Sequence, residues 1–391
     1  MTDNRRTFLQ SAAFTAASFG RIYGANNRIR IGALGCGGRT RYLLRKALQV
    51  GDCEVVAACD VYRPRIRETR EFAPAAAEFT DHRKLLDRTD IDAVVIGSPD
   101  HWHVPMTLDA IQAGKDVYVE KPVSHTIEEG ETLRQAAASS GRIIQVGYQQ
   151  RSWEHFIQAK RLVQSGKLGK VTLILASWHQ TFLAFDANME ISHQELDWKR
   201  WLGNAPDRPF ELARFVRWRW FWDYGGGHLT DLYSHWCDTL HWLMGVRHPL
   251  EAQAAGGRYA FDFQECPDTM SAWWEYPGKF AISYSGTMHS HLDGGNLRFR
   301  GDRAMMELNR DGFSVYPEGA VPKEATRYPE PEIRMRSVYD GALEHVRNFL
   351  DCVRSRQAPN SPVDEAIDAA NAVHFANLAY RQGKRLRWPI T

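Results

Sequence analysis

Arg28-Ile29-Arg30-Ile31-Gly32-Ala33-Leu34-Gly35-Cys36-Gly37-Gly38-Arg39-Thr40 is the stretch that decides the fold of this chain. Its first half is an apolar run of the length of a buried strand. Its second half is a glycine-rich turn opening a helix that runs through Leu48. Glycines at 35 and 37 let the backbone come close to a pyrophosphate, which the helix N-terminus then attracts. Thr40 stands where a third small residue is expected, and a glycine turn by itself is a weak signal. The next segment supplies context: Glu54 to Cys59 reads as a second apolar strand, ending in Asp60. An acid there can accept hydrogen bonds from the adenosine ribose and would repel a 2′-phosphate. That favours NAD, with NADP kept open because Arg63 and Arg65 lie close by. Asp60 as a simple turn residue is the alternative.

The alternation continues. Ile91 to Ile96 reads as a strand, Gly97 to His103 as a loop, Pro105 to Ala113 as a helix and Asp116 to Val119 as a strand. Such repetition predicts a parallel sheet, with ligands beyond the carboxyl ends of its strands. The expected cofactor crevice is lined by Gly35, Cys36, Gly37, Gly38, Arg39, Asp60, Ser98, Pro99, His103, Glu120 and Lys121. In Glu120-Lys121-Pro122 the proline restricts the lysine's backbone, which holds the ammonium over the crevice. There it can stabilise developing alkoxide charge. A surface lysine paired with Glu120 or Glu128 fits the same residues.

Further on, Gly225-Gly226-Gly227 runs into His228-Leu229-Thr230-Asp231-Leu232-Tyr233-Ser234-His235, with helical apolar spacing through Trp236, Leu240 and Leu243. Asp231 and His235, four apart, leave one helix face and predict a carboxylate stacked beside an imidazole. Such a pair fixes the tautomer and raises the basicity of the ring. A capping acid and an ordinary histidine are the plainer reading.

Composition bounds the rest. A length of 391 residues with 43% hydrophobic content suits two globular domains, and a net charge of +2 gives no electrostatic case for nucleic acid. No run reaches a membrane span. Six cysteines lack metal-ligand pairing and do not form a disulfide pattern, and the His101/His103 and His289/His291 pairs are isolated, so no metal is expected. Many of the 13 tryptophans lie between Trp178 and Trp242. They offer flat faces for sugars or, more plainly, for core packing. Gln149, Arg151, Asp197, Trp198, Arg219, Trp222, Tyr224 and His228 are the candidate sugar contacts. At the N-terminus, Asn4-Arg5-Arg6-Thr7-Phe8-Leu9-Gln10 before an alanine-rich stretch resembles a bacterial twin-arginine export signal, cleaved near Ala25. A periplasmic protein of this kind must carry its nucleotide along, which predicts tight cofactor retention and the twin-arginine machinery as a partner.

The glycine turn, Glu120-Lys121-Pro122 and Gly225-Gly226-Gly227 with Asp231 and His235, in that order, resemble the Gfo/Idh/MocA oxidoreductases over nearly everything after Asn26. The resemblance implies an α/β protein: a Rossmann domain with a doubly wound parallel sheet, then an α/β domain on an open, mostly antiparallel sheet. It implies a homodimer or homotetramer through the exposed sheet face, and it maps the catalytic lysine onto Lys121 and the helix pair onto Asp231 and His235. We divide the chain into an export signal (1–25), a nucleotide domain (26–148) and a substrate and oligomerisation domain (149–391), whose late helix from Pro362 to about Gln382 packs back on the first. The expected chemistry is oxidation of a secondary alcohol of a sugar, cyclitol or glycoside. His235 is the base, Lys121 the donor to the reacting oxygen, and Asp231 the orienter. Two rivals stay open. One is redox-neutral glycoside cleavage, resembling glycoside hydrolase family 109, whose motif differs at Asp231. The other is a non-catalytic sugar-binding homologue.

Overall fold

The computed structural model describes residues 28–181, 189–319, 328–337 and 339–389; the export segment read from the sequence lies outside them. Six strands, β1 (Ile29–Leu34), β2 (Cys53–Cys59), β3 (Ala77–Phe79), β4 (Ala93–Ile96), β5 (Asp116–Val119) and β6 (Ile144–Val146), form a wholly parallel sheet. Their order is β3-β2-β1-β4-β5-β6, so the winding reverses between β1 and β4. The glycine turn after β1 and the 97–103 loop after β4 therefore border one crevice, as expected for a doubly wound sheet. Thr40 fits the third small position because Gly97 faces it: a Cβ on Gly97 would sit 2.2 Å from the Thr40 hydroxyl. The bulk has moved from one side of a helix–strand contact to the other.

The second sheet has nine strands in the order β14-β13-β12-β11-β7-β10-β9-β8-β15. They are β7 (Val171–His179), β8 (Glu251–Gly257), β9 (Thr269–Tyr276), β10 (Phe280–Thr287), β11 (Gly295–Gly301), β12 (Ala304–Asn309), β13 (Gly312–Pro317), β14 (Ile333–Arg336) and β15 (Leu386–Arg387). Every neighbouring pair is antiparallel except β7 with β10. Period-two alternation explains its one-sided burial. Ile174, Ala176, Trp274, Ile282 and Tyr284 point to a core shared with Tyr233, Trp236 and Phe375, while Ser271 and Ser285 face out.

Two late helices complete the first sheet. Val363–Gln382 buries Ala366, Ile367 and Ala370 on one side, against the nucleotide half, and Ala369, Ala372 and Ala376 on the other, against the second sheet. Its alanines permit close approach on both faces at once. Ala342–Ser355 lays Val346, Phe349 and Leu350 on the opposite face of the parallel sheet.

Several histidines are enclosed in these cores. Burial pushes His101 and His241 down to about 3, and His228, His345 and His374 down to about 4. The unfolded chain binds these protons near pH 6.5, whereas the folded chain refuses them until far lower. Stability is thus expected to fall as pH drops below about 6.5, by up to about 1.4 kcal/mol per pH unit for each group, until the folded values are reached. Urea unfolding followed from about pH 7 to about pH 5 checks this; an unchanged midpoint contradicts it.

Candidate active site

Two cavities meet at the crevice. The first, of about 270 Å³, is bordered by Gly35, Gly37, Gly38, Arg39, Asp60, Arg65, Ser98 and Pro99, with Trp201, Phe215 and Trp218 from the second half as its lid. The helix that opens here, Gly38–Val50, has no side-chain cap and no acid in its first turn. Its free N–H groups and dipole suit a pyrophosphate. Asp60 fixes the turn: Oδ2 accepts from the Cys36 N–H at 2.7 Å and Oδ1 from the Tyr62 N–H at 2.8 Å. Each oxygen keeps a lone pair for a ribose hydroxyl. Arg65 beside it leaves room for either nucleotide. Cys36 contributes only its backbone, since its side chain is fully buried with Sγ toward the Cys59 carbonyl.

The second cavity, of about 250 Å³, shares Arg39, Gly97, Ser98, Trp218 and Arg219 with the first. It brings together Lys121, Asp231 and His235, along with Glu120, His103 and Gln149. Lys121 Nζ donates to Asp231 Oδ1 at 3.0 Å and to the Asp231 carbonyl at 2.5 Å, and Arg219 Nε donates to the same Oδ1 at 3.0 Å. Burial would raise the Asp231 carboxyl, but Lys121 and Arg219 outweigh it and hold the group at about 2. Gly225 places Arg219: a Cβ there would lie 2.9 Å from the Arg219 Cα, so only glycine allows the two segments to touch. Glu120 takes Arg39 Nε at 2.8 Å, and Gln149 Oε1 accepts from the same guanidinium at 3.5 Å. His103 bridges the Pro122 and Ser98 carbonyls through Nδ1 (2.7 Å) and Nε2 (2.9 Å), tying the lysine segment to the cofactor loop.

The expected Asp231–His235 stack does not form. Leu229–Tyr233 is a π-turn, and the α-helix starts only at Ser234. The Asp231 carboxylate is taken instead by Lys121 and Arg219. His235 instead stacks on Trp178 (5.7 Å between rings, 25°), and its Nδ1 is enclosed with no partner, leaving Nε2 for a ligand. Burial, then Lys121, Arg310 and Arg39, push the ring well below its usual range. The ring is thus held toward its neutral form, with no carboxylate raising its basicity.

Six of the candidate sugar contacts are turned elsewhere. Arg151 is buried, with Nε and Nη2 on Asp238 at 2.7–3.0 Å and Nη1 on Glu365. Asp197 caps the Trp198–Leu202 helix and pairs with Arg200. Trp198 stacks on Trp201 at 4.6 Å with its N–H on the Arg208 carbonyl. Tyr224 is enclosed against His101 and Trp201. His228 is buried with Nδ1 on the Tyr284 hydroxyl at 2.9 Å. Trp222 lines a separate pocket beside Tyr380 and Arg381. Trp198, Trp222 and Tyr224 belong to an aromatic core that the 196–224 segment builds with Cys266 and Met288, while Arg151 and Asp197 are held by ion pairs and His228 by Tyr284. The cavity gains Asp100, Trp218 and Arg310 instead. Burial carries the Asp100 carboxyl well above the carboxylate range against the pull of Arg219 and Lys121, so it can donate a hydrogen bond. The run Pro99-Asp100 at the end of β4 was the available sign of it.

A sequence profile described as an oxidoreductase family with a NAD-binding Rossmann fold matches residues 29–148, and that of the family's C-terminal alpha/beta domain matches residues 155–390. The chain belongs to the Gfo/Idh/MocA oxidoreductases. Among curated members of similar sequence, 1-carboxy-3-chloro-3,4-dihydroxycyclo hexa-1,5-diene dehydrogenase of Comamonas testosteroni is 33% identical over 156 residues, 40% of this chain and 39% of that protein. Inositol 2-dehydrogenase of Salmonella typhimurium is 28% identical over 170 residues, 42% of this chain and 51% of that protein. The chain thus spans about half or less of the length of these two relatives. Among solved structures, the WlbA dehydrogenase of Bordetella pertussis with NADH and UDP-GlcNAcA superposes with a TM-score of 0.72 at 21% identity, over 93% of this chain and 100% of that one. A levoglucosan dehydrogenase with NADH and levoglucosan gives 0.74 at 16%, with the same coverage. At those identities the likeness is one of fold. Among the described residues no cluster of His, Cys, Asp or Glu is placed to hold a metal ion in this Gfo/Idh/MocA chain, and no helix is long and apolar enough to cross a membrane. All six cysteines are free and buried.

Proposed function

We propose that the chain is an NAD-dependent dehydrogenase acting on a secondary alcohol of a sugar, cyclitol or glycoside. The observation that carries this is the meeting of Lys121, Asp231 and His235 in one cavity that opens onto the cofactor cavity. Relatives named for inositol and levoglucosan favour the same substrate class. Bound NAD supplies the hydride acceptor. Lys121, held by Asp231, donates to the reacting oxygen and stabilises its negative charge. His235 Nε2 takes the hydroxyl proton, a role its neutral state permits at physiological pH. Gln149, Arg219 and the protonated Asp100 are the groups available to position the remaining hydroxyls.

The aromatic lid of Trp201, Phe215 and Trp218 supports tight nucleotide retention, which suits export through the twin-arginine pathway to the periplasm with the cofactor inside. It equally suits a closed redox cycle, so glycoside cleavage without net oxidation is the second reading. We place a homodimer or homotetramer contact on the sheet face bearing Leu173, Leu175, Ala281 and Ser283, opposite the helices. The test is to purify the full chain, identify the nucleotide it releases, and follow nicotinamide absorbance with sugars, cyclitols and glycosides. Net reduction by a free alcohol supports the dehydrogenase. Glycoside cleavage with no accumulated NADH selects the second reading. Bound NAD that never changes redox state with any of them leaves a non-catalytic homologue.

A further inference from the structure

Arg310 lies in the tight turn between β12 and β13 and reaches back to line the Lys121–His235 cavity. Its guanidinium sits 4.7 Å over the Trp178 ring, the ring on which His235 stacks. The other cations of the cavity are engaged: Arg39 with Glu120, and Lys121 and Arg219 with Asp231. Arg310 has no ion pair and no hydrogen bond among the described residues, and its Nε is enclosed with no partner. A half-buried cation with no ion-pair partner is costly, and it persists where a ligand supplies the missing countercharge. The cofactor's phosphates belong at the glycine turn in the adjoining cavity, which Arg310 does not border.

We propose that Arg310 is a specificity residue that binds a carboxylate on the substrate, so that the sugar taken is an acid of the uronate or aldonate class. This rests on the sugar-dehydrogenase reading for the reacting hydroxyl but concerns a different group of the ligand. A single guanidinium fork matches a carboxylate in bidentate fashion, whereas a phosphate dianion calls for more donors than this corner offers. With the carboxylate on Arg310, a hydroxyl of the same sugar comes to Lys121 and His235, which line the same cavity. The incoming negative charge also offsets the cations that now oppose protonation of His235.

The NAD-loaded full-length protein is titrated by calorimetry with D-glucuronate, D-galacturonate and D-gluconate, each against D-glucose, D-galactose and D-glucitol, and with glucose-6-phosphate. The expected result is at least about tenfold tighter binding of an acidic sugar than of its neutral counterpart. Arg310→Gln removes about ten- to a hundredfold of the acid's affinity, leaving the neutral sugars and NAD unchanged, and Arg310→Lys restores part of it. A thermal midpoint for Arg310→Gln equal to or above wild type excludes misfolding as the cause. Equal affinity for neutral sugars, preference for the phosphate, an acid preference that survives Arg310→Gln, or no binding by any acid overturns the proposal. Turnover is scored separately. Arg310-dependent binding without nicotinamide reduction leaves this proposal standing and removes the dehydrogenase reading, while turnover of neutral sugars alone does the reverse.

Discussion

Lys121→Met lowers turnover about a hundred- to a thousandfold while leaving nucleotide affinity within about twofold. On the proposed dehydrogenase reading the loss is expected in kcat, because the ammonium would contribute most when negative charge gathers on the reacting oxygen. Lys121 reaches that position from the end of β5, held by two contacts to Asp231. Methionine keeps the length and apolar stem but supplies neither donor nor charge. Lys121→Arg is not expected to rescue, since a planar fork cannot reproduce a compact ammonium in a site already crowded by Arg219. Single-turnover reduction of bound nicotinamide, with nucleotide binding measured alongside, separates chemistry from retention. A variant with wild-type kcat would remove Lys121 from the reaction.

The largest structural effect is expected at Arg151. Arg151→Ala strands Asp238, which has 0% side-chain exposure, and leaves Glu365 without its partner. Breaking a buried pair from one side costs about 3–5 kcal/mol, because the remaining charge has no water to turn to. Three separate segments share this brace: the 149–152 turn, the Ser234–Met244 helix and the Val363–Gln382 helix. Urea unfolding should register the loss, and adding Asp238→Leu should recover part of it by removing the stranded charge. If the double variant is as unstable as the sum of the two single variants, the brace is not a coupled unit.

Much of this architecture is legible in the residues because local physics writes it. The apolar run at 29–34, the glycine turn and the acid at 60 each act over a few positions. Their consequences, a strand, a bare helix N-terminus and a carboxylate receiving two backbone N–H groups, arise where they stand. Lys121 is similar, being fixed by its place at a strand end. What depends on distant chain was not legible. Arg310 enters the cavity from a hairpin turn nearly two hundred residues beyond Lys121, and nothing in its own neighbourhood points to that meeting. Helical spacing predicted an Asp231–His235 stack, but the Asp231 carboxylate is claimed by Lys121, which arrives from the other half of the chain, and by Arg219. The failed sugar contacts are claimed by partners that sequence position does not reveal: an aromatic cluster takes Trp198, Trp222 and Tyr224, ion pairs take Arg151 and Asp197, and Tyr284 takes His228.

The helices at 342–355 and 363–382 carry a consequence for biosynthesis. Each completes one side of the parallel sheet, whose own strands end at Val146. A nascent chain halfway through translation holds all six strands of that sheet yet lacks the side chains that seal it. Closure must wait until the ribosome has released these last two helices, so a truncated transcript would yield an adhesive half-product prey to chaperones and proteases.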